Sequence, residues 1–331
     1  MRDHGATGQG TDPSGHLGIG RDFLFLLLPG YAFGALAAAI EPLRVANMQA
    51  GAGVFSWRTA STGAGPVRAS NGIVTIADGT IRSVIGGFDT VVLCGGANPL
   101  PPDSKEISRW LWRWYRAGVK IGALWSGTML LAQAGLLRHR RATIHWAHAA
   151  AFREAFPEIA VSDRLFEIDD PIFTAGAAVH DLMLCLIEAK CGRLVASQTA
   201  NHLSHLGLRN GNELQTTPVS KLLRSRHARL DDLLRVMDAS IEEPIGLRDL
   251  AKQAGLSPRQ AQRLFTRHLG ITPTRYFRKI RLQRARDLLH QTSMTITEVA
   301  LATGFPSPSH FSRNYRTEFK RMPSQEFHRV G

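Results

Sequence analysis

From Arg21 the chain alternates short apolar runs with stretches of helical spacing. FLFLLL (23–28), FSWRTAST (55–62), DTVVLCGG (89–96) and VKIGALW (119–125) read as strands, because each is short, apolar and bounded by turn residues. AFGALAAAIEPLRVANMQA (32–50), ISRWLWRWYRAG (107–118) and GTMLLAQAGLL (127–137) read as the helices between them. Strands alternating with helices predict an α/β domain with a parallel sheet covered on both faces. LMLCLIEAKCGRLVASQTANHL (182–203) predicts a long amphipathic helix, suited either to dimerisation or to covering that sheet. RNGNELQTTPVSK (209–221) is polar, with Gly and Pro, and predicts a linker. Beyond Arg229 every periodic segment is helical. The expected division is a disordered tail over 1–20, an α/β domain over 21–208, a linker over 209–228 and an all-α domain over 229–331.

The all-α region repeats itself. LRDLAKQAGL (247–256) matches ITEVALATGF (296–305) at an offset of 49, and QRLF (262–265) matches SRNY (312–315) at 50. Each copy predicts a short helix, a turn at Gly255 or Gly304, and a second helix opened by Ser257-Pro258 or Ser307-Pro308 as N-cap and first residue. Ala261, Leu264 and Phe265 then share one face, as do Phe311, Tyr315 and Phe319 in the second copy. The opposite faces carry Arg259, Gln260, Gln262 and Arg263, or Ser309, His310, Arg313 and Asn314. Such side chains suit base edges, Arg for guanine and Asn or Gln for adenine. A long helix from Pro273 to about Gln291 spaces the two helix-turn-helix units, so that both can enter successive major grooves about 34 Å apart.

Charge supports that reading. The 331 residues hold 40 Lys and Arg against 27 Asp and Glu, a net of +13. Residues 219–331 contain 21 of the basic and 10 of the acidic side chains, so nearly all the excess sits in the helical third. That asymmetry is the footprint of a nucleic-acid module rather than of a generally basic surface. Phe23 to Pro29 is far too short to span a bilayer, and the residues before it lack the basic start of a signal peptide. Three cysteines, Cys94, Cys185 and Cys191, form neither a disulfide framework nor a metal-spaced set. No membrane partner, metal or cofactor is expected, and the compartment expected is the cytoplasm, on the nucleoid.

ARDLLHQTSMTITEVALATGFPSPSHFSRNYRTEFKRMPSQEF (285–327) resembles the signature of AraC-type transcription regulators. The resemblance implies sequence-specific binding to promoter DNA, contact with RNA polymerase and, usually, activation. In the α/β region VKIGALW-SGTMLLAQAGLL has the grammar of a nucleophile elbow: apolar strand, tight turn, helix. With LCGGANP upstream and ATIHW downstream, residues 21–195 resemble the DJ-1/PfpI superfamily. That resemblance implies a flavodoxin-like parallel sheet, a cysteine at the elbow and a histidine in the ATIHW-like segment, here His145. The elbow residue is Trp125, however, and the acidic residue that often supports the cysteine falls near Ala38. Ser126 adjoins the elbow without a Gly-x-Ser-x-Gly frame.

The whole chain is therefore similar to AraC-type regulators that join a DJ-1/PfpI-like sensor to the DNA-binding domain. AIEPLRVAN (39–47) matches a subset whose effectors are amino-acid-like or quaternary ammonium compounds, such as glycine betaine, carnitine or arginine. Trp125 and Trp146 could hold a cation by cation–π attraction, with Trp57 as a further candidate that reads better as core. Amides at Gly96 and at the Ser126-Gly127 helix start could hold a carboxylate, and the resemblance places Thr174 and Gly176 at the same edge. His145 has two readings, a ligand partner and a satisfied core histidine. Cys94 reads as buried packing. The function expected is a homodimeric, effector-responsive transcription regulator without catalytic residues. An amidotransferase- or hydrolase-like enzyme fused to a DNA-binding module is the alternative, and a domain serving only oligomerisation is a third.

Overall fold

The computed structural model describes residues 20–96, 100–205, 207–209, 211–213, 215, 228–292 and 294–326. The expected tail over 1–20 lies outside them except for Gly20, as does the linker after Gln215. Contacts divide the chain into two compact units, 1–145 with 158–215, and 146–157 with 216–331.

The first unit is built on a seven-stranded sheet in the order β10-β11-β7-β6-β1-β2-β5. β1 (Asp22–Leu27), β2 (Ser56–Ser61), β5 (Gly79–Thr80), β6 (Thr90–Cys94), β7 (Lys120–Leu124) and β11 (Ile172–Ala175) run parallel, and β10 (Phe166–Asp169) closes one edge antiparallel. The chain passes from β1 outward to β2 and returns to β6 on the other side. The β1/β6 boundary is thus the topological switch point, where α/β sheets bind ligands beyond the carboxyl ends of their strands. Every residue of β6 and all but the first of β1 are buried, as expected of strands covered on both faces. Phe23, Phe25, Leu27, Val92 and Cys94 join one core with α1 (Phe33–Ala50) and α5 (Val179–His202). Leu24, Leu26, Val91 and Leu93 alternate onto the other face, on the side of α2 (Ser104–Arg116) and α3 (Gly127–Gln133). Two short ladders, β3 (Val67–Arg68) with β4 (Val74–Thr75) and β8 (Arg141–Thr143) with β9 (Ala160–Ser162), complete the strands.

α5 covers the sheet by packing along α1. It does not continue as one straight helix: Gly192 leaves helical geometry at φ 81° and ψ 166°.

The second unit holds α4 (Ala149–Ala155) and six C-terminal helices. These are α6 (Ala228–Ala239), α7 (Leu247–Gln253), α8 (Pro258–Leu269), α9 (Pro273–Gln291), α10 (Ile296–Ala302) and α11 (Pro308–Phe319). Leu230, Leu233, Met237, Leu250, Ala251, Ala261 and Phe265 form the core under the first repeat. Leu282, Ala285, Leu288, Val299, Phe311 and Tyr315 are among the buried residues of the second. Ser257, Thr272, Thr295 and Ser307 each accept a backbone N–H from the residue three positions on, so four helices start on a side-chain cap. Gly255 and Gly304 make the turns at φ 65° and 68°, a region open to glycine without a Cβ penalty.

Candidate functional sites

α7–α8 and α10–α11 are the two helix-turn-helix units, and the second helix of each shows the same division of faces. Ala261 and Phe265, like Phe311 and Tyr315, are buried. Arg259, Gln262, Arg263, Ser309, His310 and Arg313 are exposed, with Arg263 and Arg313 at equivalent positions. α9 between them is a single helix of 19 residues, about 28 Å long.

Two expected base readers have other engagements. Gln260 is the third residue of α8, and its Oε1 accepts the Ser257 N–H at 2.8 Å, closing a capping box. The oxygen that bidentate recognition of adenine requires is therefore already bonded to the helix's own cap. Asn314 is half-buried, and its Nδ2 donates to the His310 carbonyl one turn back at 2.8 Å.

In the α/β unit, Trp125 sits at φ 60° between β7 and α3. This is the strained strand-to-helix turn that the sequence grammar predicts. Its N–H donates to Ala175 O of the neighbouring strand at 2.9 Å, and its ring stacks on that of His145 at 3.7 Å between centroids, 17° from parallel. His145 is 5% exposed.

Ser126 is fully buried and its Oγ accepts the Gly96 N–H at 2.9 Å. The Gly96 amide, expected to face a ligand carboxylate, is instead satisfied by this hydroxyl. Tyr31 and Gly96 also bridge, and a Cβ at Gly96 would lie 1.9 Å from Gly30 O, so the two backbones pass too close for any side chain there. Cys94 is buried, and desolvation pushes its thiol far above the ordinary range, the opposite of a nucleophile. Trp57 pairs with Phe23 at the amino end of the sheet, whereas Trp125 follows its carboxyl end. Trp57 therefore has no place at the elbow, and it packs against the sheet's core. Trp146 opens a short 3-10 turn, Trp146–His148, and is 43% exposed.

Thr174 and Gly176 do lie beside the elbow strand. β11 pairs with β7 through Ala175 and Leu124, and Thr174 Oγ1 accepts the Thr143 N–H at 2.8 Å. A cavity of about 350 Å³ opens where β1 and β2 end, lined by Pro29, Gly30, Ser61, Thr62, Val67 and Arg68.

Linear reading missed two anchors in the segment taken for linker. Arg209 donates from Nε and Nη2 to buried Asp181 of α5 at 2.8 and 2.6 Å, and His205 Nε2 meets the same carboxylate at 3.0 Å. Gln215 inserts its carboxamide beside Thr143, Ile144 and Arg164. Neither has a sequence signal, because a polar residue in a polar run looks the same whether solvated or anchored.

Residues 36–189 match the DJ-1/PfpI family and residues 250–329 match a helix-turn-helix domain. The HTH-type transcriptional regulator CdhR of Pseudomonas aeruginosa is 38% identical over 310 residues, spanning 93% of this chain and 92% of its own. GbdR of the same species is 39% identical over 305 residues, spanning 91% and 83%. GlxA of Rhizobium meliloti is 35% identical over 310 residues, spanning 93% and 95%. Among solved structures, an AraC family transcriptional regulator from Pseudomonas putida aligns at 25% identity with a TM-score of 0.51, over 55% of this chain and 99% of its own.

Proposed function

Because the chain belongs to the AraC-type transcriptional regulators that carry a DJ-1/PfpI domain ahead of a helix-turn-helix pair, we propose that it activates promoters in response to a small amino-acid-like or quaternary ammonium metabolite. On this reading residues 229–331 hold DNA and residues 21–208 hold the effector. The protein works in the cytoplasm as a homodimer and contacts RNA polymerase. No helix among the described residues is long and apolar enough to cross a membrane.

The observation that carries the DNA half is the repeated presentation of Arg263 and Arg313 on two capped helices joined by one rigid spacer. Arg259, Gln262, Ser309 and His310 flank them. The arginines read bases, and the flanking side chains read bases or hold phosphates.

The effector half rests on Trp125. A large aromatic at the strained elbow supplies a π-face where a thiolate would otherwise stand. Ser126 is buried and bonded to Gly96, so it offers no substitute nucleophile. These features favour reversible recognition over turnover, beyond the carboxyl ends of the strands, with His145 and Thr174 on the same edge.

The test is operator binding. With an operator selected from random duplexes, Arg263→Ala and Arg313→Ala should each weaken the cognate complex by about 1–3 kcal/mol and leave scrambled DNA little changed. Equal losses on both duplexes would reduce these residues to phosphate contacts.

A further inference from the structure

The Gly96 amide is spent on Ser126 Oγ, so a carboxylate entering this unit must find its donors elsewhere. The cleft at the carboxyl ends of β1 and β2 offers them. Its volume of about 350 Å³ falls at the small end of the clefts that hold metabolites, roughly 300–1,000 Å³. Thr62, on its wall, is 8% exposed, and its hydroxyl has no hydrogen-bond partner among the described residues. The oxygen is not sealed off by the protein, so the hydroxyl opens to the cleft that Thr62 lines. Ser61 beside it, equally buried, does bond, donating to Gly63 O at 2.7 Å. A hydroxyl this buried normally finds a partner within the protein, and the unmet one at Thr62 points to a group that arrives from outside.

Charge gives the sign of that group. Arg68 is the only charged residue of the lining. Its Nη1 donates to Gly72 O at 3.0 Å, and no carboxylate pairs with it among the described residues. One arm of the guanidinium is thus held by a neutral carbonyl while Nε and Nη2 keep their hydrogens, the fork that fits a planar oxyanion. The amides of Gly63, Ala64 and Gly65, which also line the cleft, donate to no protein acceptor among the described residues. Successive N–H groups of this kind favour anionic oxygen. Pro29, Pro66 and Val67 supply a short apolar wall, suited to a small carbon skeleton behind the anion.

We infer that this cleft is the carboxylate subsite of the effector site, with Arg68 as counter-charge and the Thr62 hydroxyl as buried donor. The inference deepens the effector reading above and rests on it. It demands a carboxylate of the effector, which an amino acid or a betaine carries and a simple alkylammonium ion lacks. Backbone bonds join the cleft to the loop after β6. Gly30 N–H donates to Arg68 O and Ser70 N–H to Tyr31 O, both at 2.9 Å, and Tyr31 bridges to Gly96. A ligand that draws on Arg68 therefore pulls on the same backbone that meets the Ser126 elbow.

The experiment uses the full-length protein and two variants, Arg68→Gln and Thr62→Val, and follows sodium propionate by saturation-transfer NMR at constant ionic strength. Propionamide serves as the neutral isostere and inorganic phosphate as the competing anion. The Arg68→Gln side chain keeps an N–H for Gly72 O, and Thr62→Val keeps the buried shape, so each removes chiefly what the ligand would use. Arg68→Gln should weaken propionate binding by at least about tenfold, the size expected for a lost charge-assisted bond, and Thr62→Val by about threefold to tenfold. Propionamide should bind weakly and equally to all three proteins. No propionate signal from the wild type, or equal propionate affinity in wild type and both variants, overturns the inference. Phosphate binding more tightly than propionate overturns the carboxylate assignment in favour of a phosphoryl group. The titrations contain no DNA. A promoter that ignores every metabolite would sink the effector reading and leave this comparison standing, whereas a responsive promoter with unchanged variants would sink only the subsite.

Discussion

Trp125 and Lys320 hold the same kind of backbone, φ near 60°, for different reasons. At Trp125 the turn aims the chain from β7 into α3, and it was legible in the sequence because an apolar strand, a tight turn and a helix start follow one another there. Lys320 ends α11 in the left-handed region, where its repeat counterpart Gly270 ends α8 at φ 68°. A side chain in that region costs roughly 1–2 kcal/mol that glycine avoids. Lys320→Gly should therefore raise the stability of the second repeat by about 0.5–1 kcal/mol, read by urea denaturation of the full chain. Part of the gain is offset because Lys320 Nζ donates to Thr317 O; a loss of stability would show that this bond outweighs the strain. Hydrogen-bond allocation, by contrast, was not legible. Gln260 looked like a base reader and Gly96 like a ligand donor. Both engagements depend on atoms brought near by folding, one three residues away and the other thirty.

At the scale of elements, what the sequence made readable follows from length and repetition. β1, β2, β6 and β7 are long enough for an apolar run to stand out, and the two helix-turn-helix units announced themselves twice. β3, β4 and β5 span two residues each, too few for any periodicity, and went unread. The break in α5 at Gly192 was hidden because flanking residues keep a helical pattern on both sides of it. Element pairing is equally invisible in one dimension, and Arg281 shows its weight. From the middle of α9 it donates through Nε to Thr303 O at 2.8 Å and through Nη2 to Gly304 O, the turn of the second repeat, while its guanidinium lies 4.3 Å from the Phe305 ring centroid. Burial pulls its pKa down to about 10, still charged at neutral pH. Arg281→Ala leaves two turn carbonyls without this donor, at a cost of about 2–3 kcal/mol. The expected result is a lower urea midpoint and faster amide exchange in α10 and α11, with α7 and α8 little affected. Arg281→Lys should recover only part of the loss, since an ammonium cannot present the planar fork. Uniform loss across both repeats would mean that Arg281 supports the whole helical unit and does not brace one turn.

For the whole molecule the governing quantity is where the charge lies. Residues 1–218 are nearly balanced, with 19 Lys and Arg against 17 Asp and Glu, whereas residues 219–331 carry 21 against 10. This partition was legible from composition alone, and the helical unit with its own apolar core coincides with the basic part. Some of that charge is internal: Arg235 pairs with Asp231, and Arg286 and His290 with Glu326. The arginines on the exposed faces of α8 and α11 remain for phosphate and base. A protein that neutralises about six phosphates releases as many condensed counterions, so its affinity for DNA falls with roughly the fifth power of salt concentration. Raising salt from 50 to 200 mM should then weaken binding of the full chain by about a thousandfold. The fragment 219–331 should show a slope within about one unit of the full chain's, because the α/β part adds almost no net charge. Fluorescence anisotropy on one labelled duplex across a salt series measures both slopes. A fragment that folds yet binds with a flat salt dependence would refute the assignment of the basic excess to DNA. A full chain with a much steeper slope than the fragment would place phosphate contacts in the α/β unit, where the charge count gives no reason to expect them.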